Sequence, residues 1–149
     1  MIYREMVPDD APAAAAIEQT LPGDPWSETA FRESLRRPEA YFITAQTEDG
    51  ILAGYCGCYM TMDDAEIVDV AVKQSYRRQG IGGALLDQMI QDLAKRGLHV
   101  IVLEVRASNE AAIRLYSARG FEKIGVRRNF YNNPREDALI MRRGSAGYF

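Results

Sequence analysis

Histidine is almost missing from this chain, with one His in 149 residues alongside two cysteines and one tryptophan. No metal site built from His and Cys at ligand spacing is therefore expected. Nor is a disulfide framework. Cys56 and Cys58 alternate within what reads as one strand, so they share a face and are badly placed to pair with each other. They read as buried free thiols of a reducing, cytoplasmic compartment. No apolar run approaches a membrane span, and the charged start (Met1 to Met6, MIYREM) is unlike a secretory signal. Excess positive charge is lacking too. Net charge is −3, and because residues 121–149 hold six Lys/Arg against three Asp/Glu, the first 120 residues stand at −6. An acidic body argues against a general nucleic-acid binder and fits a basic peptide partner or an ordinary solvated surface. With no repeat, linker or low-complexity break apart from one alanine tract, the chain is expected to form a single domain over 1–149.

What is present divides into a meander and an alternating half. Ile2–Met6 reads as a first strand. Asp9-Asp10-Ala11-Pro12 starts a helix through Leu21, and Pro22-Gly23-Asp24-Pro25 breaks it. Ser27 caps a second helix ending at Arg37, with Phe31 and Leu35 one turn apart. Tyr41–Thr47 and Ile51–Met62 flank an Asp49-Gly50 hairpin signal, and Glu66–Lys73 follows as a third strand of the meander. Next come the helix Ile81–Arg96, stopped by Gly97, and the near-continuously apolar strand Val100–Val105. The helix Glu110–Arg119, capped by Ser108 or Asn109, precedes strands Phe121–Arg128 and Ala138–Arg143. A loose tail is expected over Gly144–Phe149. The order β-α-α-β-β-β-α-β-α-β-β predicts an α/β fold: a mostly antiparallel mixed sheet with helices on both faces, parallel where Glu66–Lys73 precedes Val100–Val105 across a helix.

The junction at residues 70–83 carries the first chemical signal. A strand holding Val70, Ala71 and Val72 runs into Arg77-Arg78-Gln79-Gly80-Ile81-Gly82-Gly83, and a long amphipathic helix opens at once. Glycines let backbone N–H groups approach a phosphate, unpaired N–H groups of a first helical turn point at it, and the arginines add charge. A Walker loop is excluded because no Lys follows Gly83, and a dinucleotide fingerprint because Leu85 stands where Gly is required. What remains is Arg77-x-x-Gly80-x-Gly82. The alternative is a helix start that uses glycine only for close packing.

A second signal is Glu104, a carboxylate inside an apolar strand. Alternation puts Val100, Val102 and Glu104 on one face, with Arg106 two residues along. Either Glu104 pairs with Arg106, or it is a general base whose pKa is raised by its surroundings. On the following helix Asn109 and Tyr116 lie two turns apart on one face with Ala112 and Ile113. Tyr116 is then either a packed core tyrosine or a proton donor.

These residues carry a resemblance. Arg77-x-x-Gly80-x-Gly82 and the element order resemble the GNAT N-acetyltransferases. Leu103-Glu104-Val105-Arg106-Ala107-Ser108-Asn109, followed by Ala112-Ile113-x-Leu115-Tyr116-x-x-x-Gly120-Phe121, is similar to the bacterial RimI subfamily, the ribosomal-protein alanine N-acetyltransferases. Pro25-Trp26-Ser27-Glu28, Arg127-Arg128-Asn129-Phe130-Tyr131 and Arg135-Glu136-Asp137-Ala138 match as well, so the similarity spans about residues 2–143. Phe130 departs from it, standing where relatives often show a second tyrosine.

The resemblance implies acetyl-CoA as co-substrate and no metal. Backbone groups of Val70, Ala71 and Val72 would pair with the pantetheine arm. Arg77, Arg78, Gln79, Gly80, Ile81, Gly82 and Gly83 would cradle the pyrophosphate, with Asn109 as a further contact. Glu104 would take the proton of the incoming amine, and Tyr116 would protonate the departing thiolate. The implied partner is a protein N-terminal peptide, that of a small-subunit ribosomal protein beginning with alanine, with no direct nucleic-acid or membrane contact. Tyr131 reads as an aromatic on a sheet edge or, alternatively, as a wall of the peptide pocket. Two other functions stay open: a GNAT enzyme acting on another N-terminus or a small amine, and an acyl-CoA-binding module without turnover.

Overall fold

Local capping sets the first two helices. Asp10 accepts from the Val7 N–H at 2.8 Å and from Arg4, closing a short 3₁₀ turn at Pro8–Asp10, and α1 (Ala11–Glu18) follows directly. Ser27 Oγ accepts from the Ala30 N–H at 3.0 Å and starts α2 (Glu28–Leu35), as its sequence position predicts. Both helices stop short of expectation. Thr20, Leu21, Arg36 and Arg37 each close an i→i−3 bond, so the final turns tighten to 3₁₀ geometry.

The computed structural model describes residues 1–144. The expected loose tail, apart from Gly144, lies outside them. The remaining elements are β1 (Ile2–Glu5), β2 (Ala40–Gln46), β3 (Leu52–Met60), β4 (Asp64–Val72), α3 (Ile81–Lys95), β5 (Val100–Arg106), α4 (Glu110–Ser117), β6 (Phe121–Tyr131) and β7 (Glu136–Arg143). Among the described residues the strands form one sheet in the order β1-β2-β3-β4-β5-β7-β6, antiparallel except for the β4–β5 pair. The predicted mixed sheet and its parallel step are both present. β6 runs three residues beyond its predicted end because Asn129 adopts φ 54° and its N–H donates to Asp137 Oδ1, so the strand continues through an irregularity.

Alternation along β3 splits the core into two layers. Cys56 and Cys58 face α3, packing with Leu85, Leu86, Met89 and Leu93. Tyr55 faces α1 and α2, where it meets Phe31 edge-on at 5.3 Å, with Phe42 and Ile17 beside it. Both thiols are buried and unpaired. Gly57 is required by this second layer, since a Cβ there would fall 2.2–2.5 Å from the Phe42 ring.

One break in the sheet positions everything that follows. β4 and β5 pair only from Asp64↔Val100 to Ile67↔Leu103. Beyond that point β4 follows β3 as far as Val72, while β5 follows β7 as far as Arg106, and the two strands part. The β3–β4 register steps from Gly57↔Asp69 to Cys58↔Ile67, which makes Val68 the extra residue of a bulge at the mouth of the split. The edge of β4 after Ile67 therefore turns peptide groups toward a gap instead of a neighbouring strand.

Candidate active site

The split opens into a cleft of about 730 Å³ bounded by β4, β5, the N-terminus of α3, and α4. It brings together nearly all of the residues singled out from sequence. Val70, Ala71 and Val72 form one wall, Arg77 to Gly83 one end, and Glu104, Asn109, Tyr116 and Tyr131 the opposite side. Gln79 belongs to the same exposed loop, although it does not itself line the cleft.

The loop end has the features of an anion site. Arg78 and Gly80 adopt left-handed backbone (φ 64° and 78°), which turns the chain sharply into α3. Gly80 is the N-cap and supplies no side chain, and the first intrahelical bond, Ala84 N–H to Gly80 O, leaves the N–H groups of residues 81–83 without helical partners. A Cβ at Gly80 would meet nothing within 4 Å, and one at Gly82 only side-chain carbons at 3.7 Å. The protein thus leaves open space over this turn. Gly83 differs: its missing Cβ makes room for the Arg119 guanidinium, which Asp87 holds at 2.9 Å. Ile81 is buried in the α3 core, so only its backbone faces the loop. Arg77 Nε donates to the Val72 carbonyl at 3.1 Å, tying the loop to the end of β4, and Arg78 is exposed.

On the other side, Glu104 presents a carboxyl group that is 18% exposed, with Oε2 fully buried and without a partner. The expected alternative, a Glu104–Arg106 pair, is not formed. Arg127 from β6 is the nearby cation, its Nε 3.8 Å from Glu104 Oε1. Arg106 instead turns away to the β6–β7 hairpin, donating to Pro134 O (2.8 Å) and Asn132 O (2.9 Å) and stacking on the Tyr131 ring at 4.6 Å. Burial raises the Glu104 pKa; Arg127 opposes the rise and Glu66 adds to it.

Tyr116 is buried against Phe121, and burial pushes its phenol well up, so it keeps its proton at neutral pH. Asn109, rather than Ser108, caps α4: its Oδ1 accepts from Ala112 N–H at 3.1 Å, which leaves Nδ2 as the group available to a ligand. Tyr131 ends the edge strand β6, as its first reading has it, and also lines the cleft, where desolvation pushes its pKa up to about 12.

Four residues at the cleft carry no role in the sequence reading. Leu21 and Pro22, a helix end and a breaker by sequence, wall the cleft from the α1–α2 loop. Arg127 stands beside Glu104 through the pairing of β5, β7 and β6, which is invisible in one sequence. Asp69, a carboxylate inside an apolar strand just as Glu104 is, offers the same sequence signal. Among the described residues no group of three or more His, Cys, Asp or Glu is arranged to hold a metal ion, and no helix is long and apolar enough to cross a membrane.

The parted parallel strands, the glycine-rich helix start beside them, and Glu104 and Tyr116 across the gap thus share one cleft. The chain belongs to the acetyltransferase (GNAT) family, whose pattern matches residues 8–121, and it is an acetyl-CoA-dependent N-acetyltransferase. It is 43% identical over 134 residues, 89% of each chain, to the [ribosomal protein bS18]-alanine N-acetyltransferase of Escherichia coli K12. The N-alpha-acetyltransferase RimI of Mycobacterium tuberculosis is 36% identical over 142 residues, 91% of this chain and 87% of that one. The crystal structure of the Escherichia coli ribosomal-protein-S18-alanine N-acetyltransferase superimposes with a TM-score of 0.87 at 39% identity, covering 99% of both chains.

Proposed function

We propose that this enzyme acetylates the α-amine of a protein N-terminus, and that its acceptor is the N-terminal alanine of a small-subunit ribosomal protein. The observation that carries the reading is Glu104 Oε2, a buried carboxyl oxygen without a partner in the wall of the β4–β5 cleft. A buried polar atom left unsatisfied by the protein is costly unless a ligand completes it. The names of the relatives at 43% and 36% identity support the choice of acceptor.

In this reading Glu104 takes a proton from the incoming ammonium, directly or through water. The freed amine attacks the thioester carbonyl, and Tyr116, protonated across the neutral range, gives its proton to the departing thiolate. The backbone of Val70, Ala71 and Val72 aligns the pantetheine arm along the β4 edge, and one of its N–H groups polarises the carbonyl. Arg77 to Gly83 hold the pyrophosphate, Asn109 Nδ2 contacts the cofactor, and Tyr131 walls the acceptor side. Cys56 has no part in this: burial raises its thiol pKa well above the ordinary value, leaving it a poor nucleophile. Amine chemistry also favours a chain terminus. An α-amino group titrates near 7.7–8.0 and a lysine near 10.4, so lysine asks for roughly 3 kcal/mol more deprotonation at neutral pH.

The test is acetyl transfer to two short peptides followed by mass spectrometry. One carries a free N-terminal alanine in the sequence of the ribosomal substrate. The other is the same peptide with its terminus blocked and a lysine present. Modification of the free peptide alone is expected. Transfer to the lysine, or to small amines and neither peptide, overturns the acceptor assignment and leaves the acetyltransferase standing.

A further inference from the structure

Two buried side-chain oxygens among the described residues lack a partner, and both belong to carboxyl groups of residues that line the cleft: Glu104 Oε2 and Asp69 Oδ2. The second is unused by the mechanism above. Asp69 follows the bulge residue Val68, and its side chain lies within hydrogen-bonding reach of Glu18 on α1. Glu18 is 5% exposed, and both of its oxygens already accept: Oε1 from the Trp26 N–H at 2.9 Å, Oε2 from the Tyr55 hydroxyl.

Two carboxyl groups in contact in a buried setting cannot both be ionised, so one holds a proton. Both Glu18 oxygens already hold donors, and burial beside Glu18 pushes the Asp69 pKa up, so the shared proton sits on Asp69. Asp69 then donates to Glu18 through one oxygen. Its other oxygen, Oδ2, is a carbonyl-like acceptor without a partner, on a residue that lines the cleft.

We infer that Asp69, as a neutral carboxylic acid, is an acceptor-binding residue whose Oδ2 receives an N–H of the incoming amine substrate. The side of the sheet decides between acceptor and cofactor. Glu18 and Tyr55 belong to the layer beneath α1 and α2, whereas the glycine-rich loop and α3 bound the cleft from the other face. Glu18 also fixes the loop that brings Leu21 and Pro22 to the cleft, through the Trp26 N–H. One proton thus couples the α1–α2 loop to the floor on which the acceptor lies. This inference rests on the amine-acetylating function proposed above.

The test compares Asp69→Asn, Asp69→Ala and Asp69→Leu with wild type, using whichever amine the wild-type enzyme acetylates best. Asn keeps a permanent donor to Glu18 and an amide oxygen in place of Oδ2; Ala and Leu keep neither, and Leu preserves volume should the Ala variant fail to fold. The acceptor KM is expected to rise at least about tenfold in the Ala or Leu variant, the loss of one hydrogen bond of about 1.4 kcal/mol. Asn is expected to bring it back to within about threefold of wild type, and the acetyl-CoA dissociation constant stays put in all three. A folded Ala or Leu variant with wild-type acceptor KM overturns the inference, as does weakened acetyl-CoA binding with acceptor KM unmoved. If wild type transfers to a lysine or a small amine, the N-terminal reading falls while the Asp69 comparison still runs on that amine.

Discussion

Glu104 and Arg127 form a loose pair, 3.8 Å apart, in which the carboxyl is mostly buried and the guanidinium mostly exposed. That asymmetry leaves Glu104 raised by desolvation yet still able to ionise. Glu104→Gln is expected to lower kcat by about 10²–10⁴-fold with acetyl-CoA affinity unchanged, as checked by steady-state rates and calorimetric titration. Arg127 favours the carboxylate, so Arg127→Ala is expected to raise the Glu104 pKa further. The acid limb of the kcat/KM profile should move to higher pH, and more so at low salt. At this scale the sequence spoke clearly wherever one residue broke its local pattern. Glu104 stood out in an apolar strand, and Gly80 and Gly82 stood out at a helix start. Its neighbours did not, because the cation beside Glu104 arrives from β6, two strands away across β7.

Elements were legible where capping or a breaker fixed them: Ser27 for α2, Gly80 for α3 and Asn109 for α4. Their packing was less so. That α1 ends in a glutamate turned inward, meeting Asp69 from β4, follows from helix phase and strand bulge together, and neither is visible in periodicity alone. This junction has a pH signature. The titratable groups near enough to feel the charge of Asp69 are Glu18 of α1, Tyr55 and Cys56 of β3, and Tyr116 of α4. Burial and Glu18 push Asp69 up to about 9, above its unfolded value. A raised carboxyl stabilises the fold fully below the unfolded pKa and loses that contribution as pH rises through the folded one. Wild-type unfolding free energy is expected to fall between pH 6 and 9 relative to Asp69→Asn, by at most about 1.4 kcal/mol per pH unit, as read from urea denaturation at each pH.

Over the whole molecule, the parting of β4 from β5 is a gap in the sheet and, in the proposed function, the place the cofactor enters. A ligand that fills it binds the folded state alone and raises the melting midpoint with concentration. Acetyl-CoA at 100 times its dissociation constant is expected to add about 2.7 kcal/mol, seen as an upward thermal shift. Gly82→Asp places a carboxylate over the open turn and should abolish most of that shift while leaving the apo midpoint near wild type. The alternation of strand and helix after Asp64 foretold the parallel step, and the Gly-rich junction marks the end of it proposed to bind phosphate. The parting itself depends on which residue bulges, and Val68 is chemically indistinguishable from its apolar neighbours.

β7 lies between β5 and β6, although it leaves the ribosome last of the three. Until residues 136–143 have been made, the strand carrying Glu104 lacks its Ile140 neighbour, and β6, with Arg127 and Tyr131, has no strand to join. Synthesis therefore delivers β4 and the glycine-rich junction before the strands that flank Glu104 can assemble. The wall of the cleft that holds Glu104 is complete only once β7 has been made.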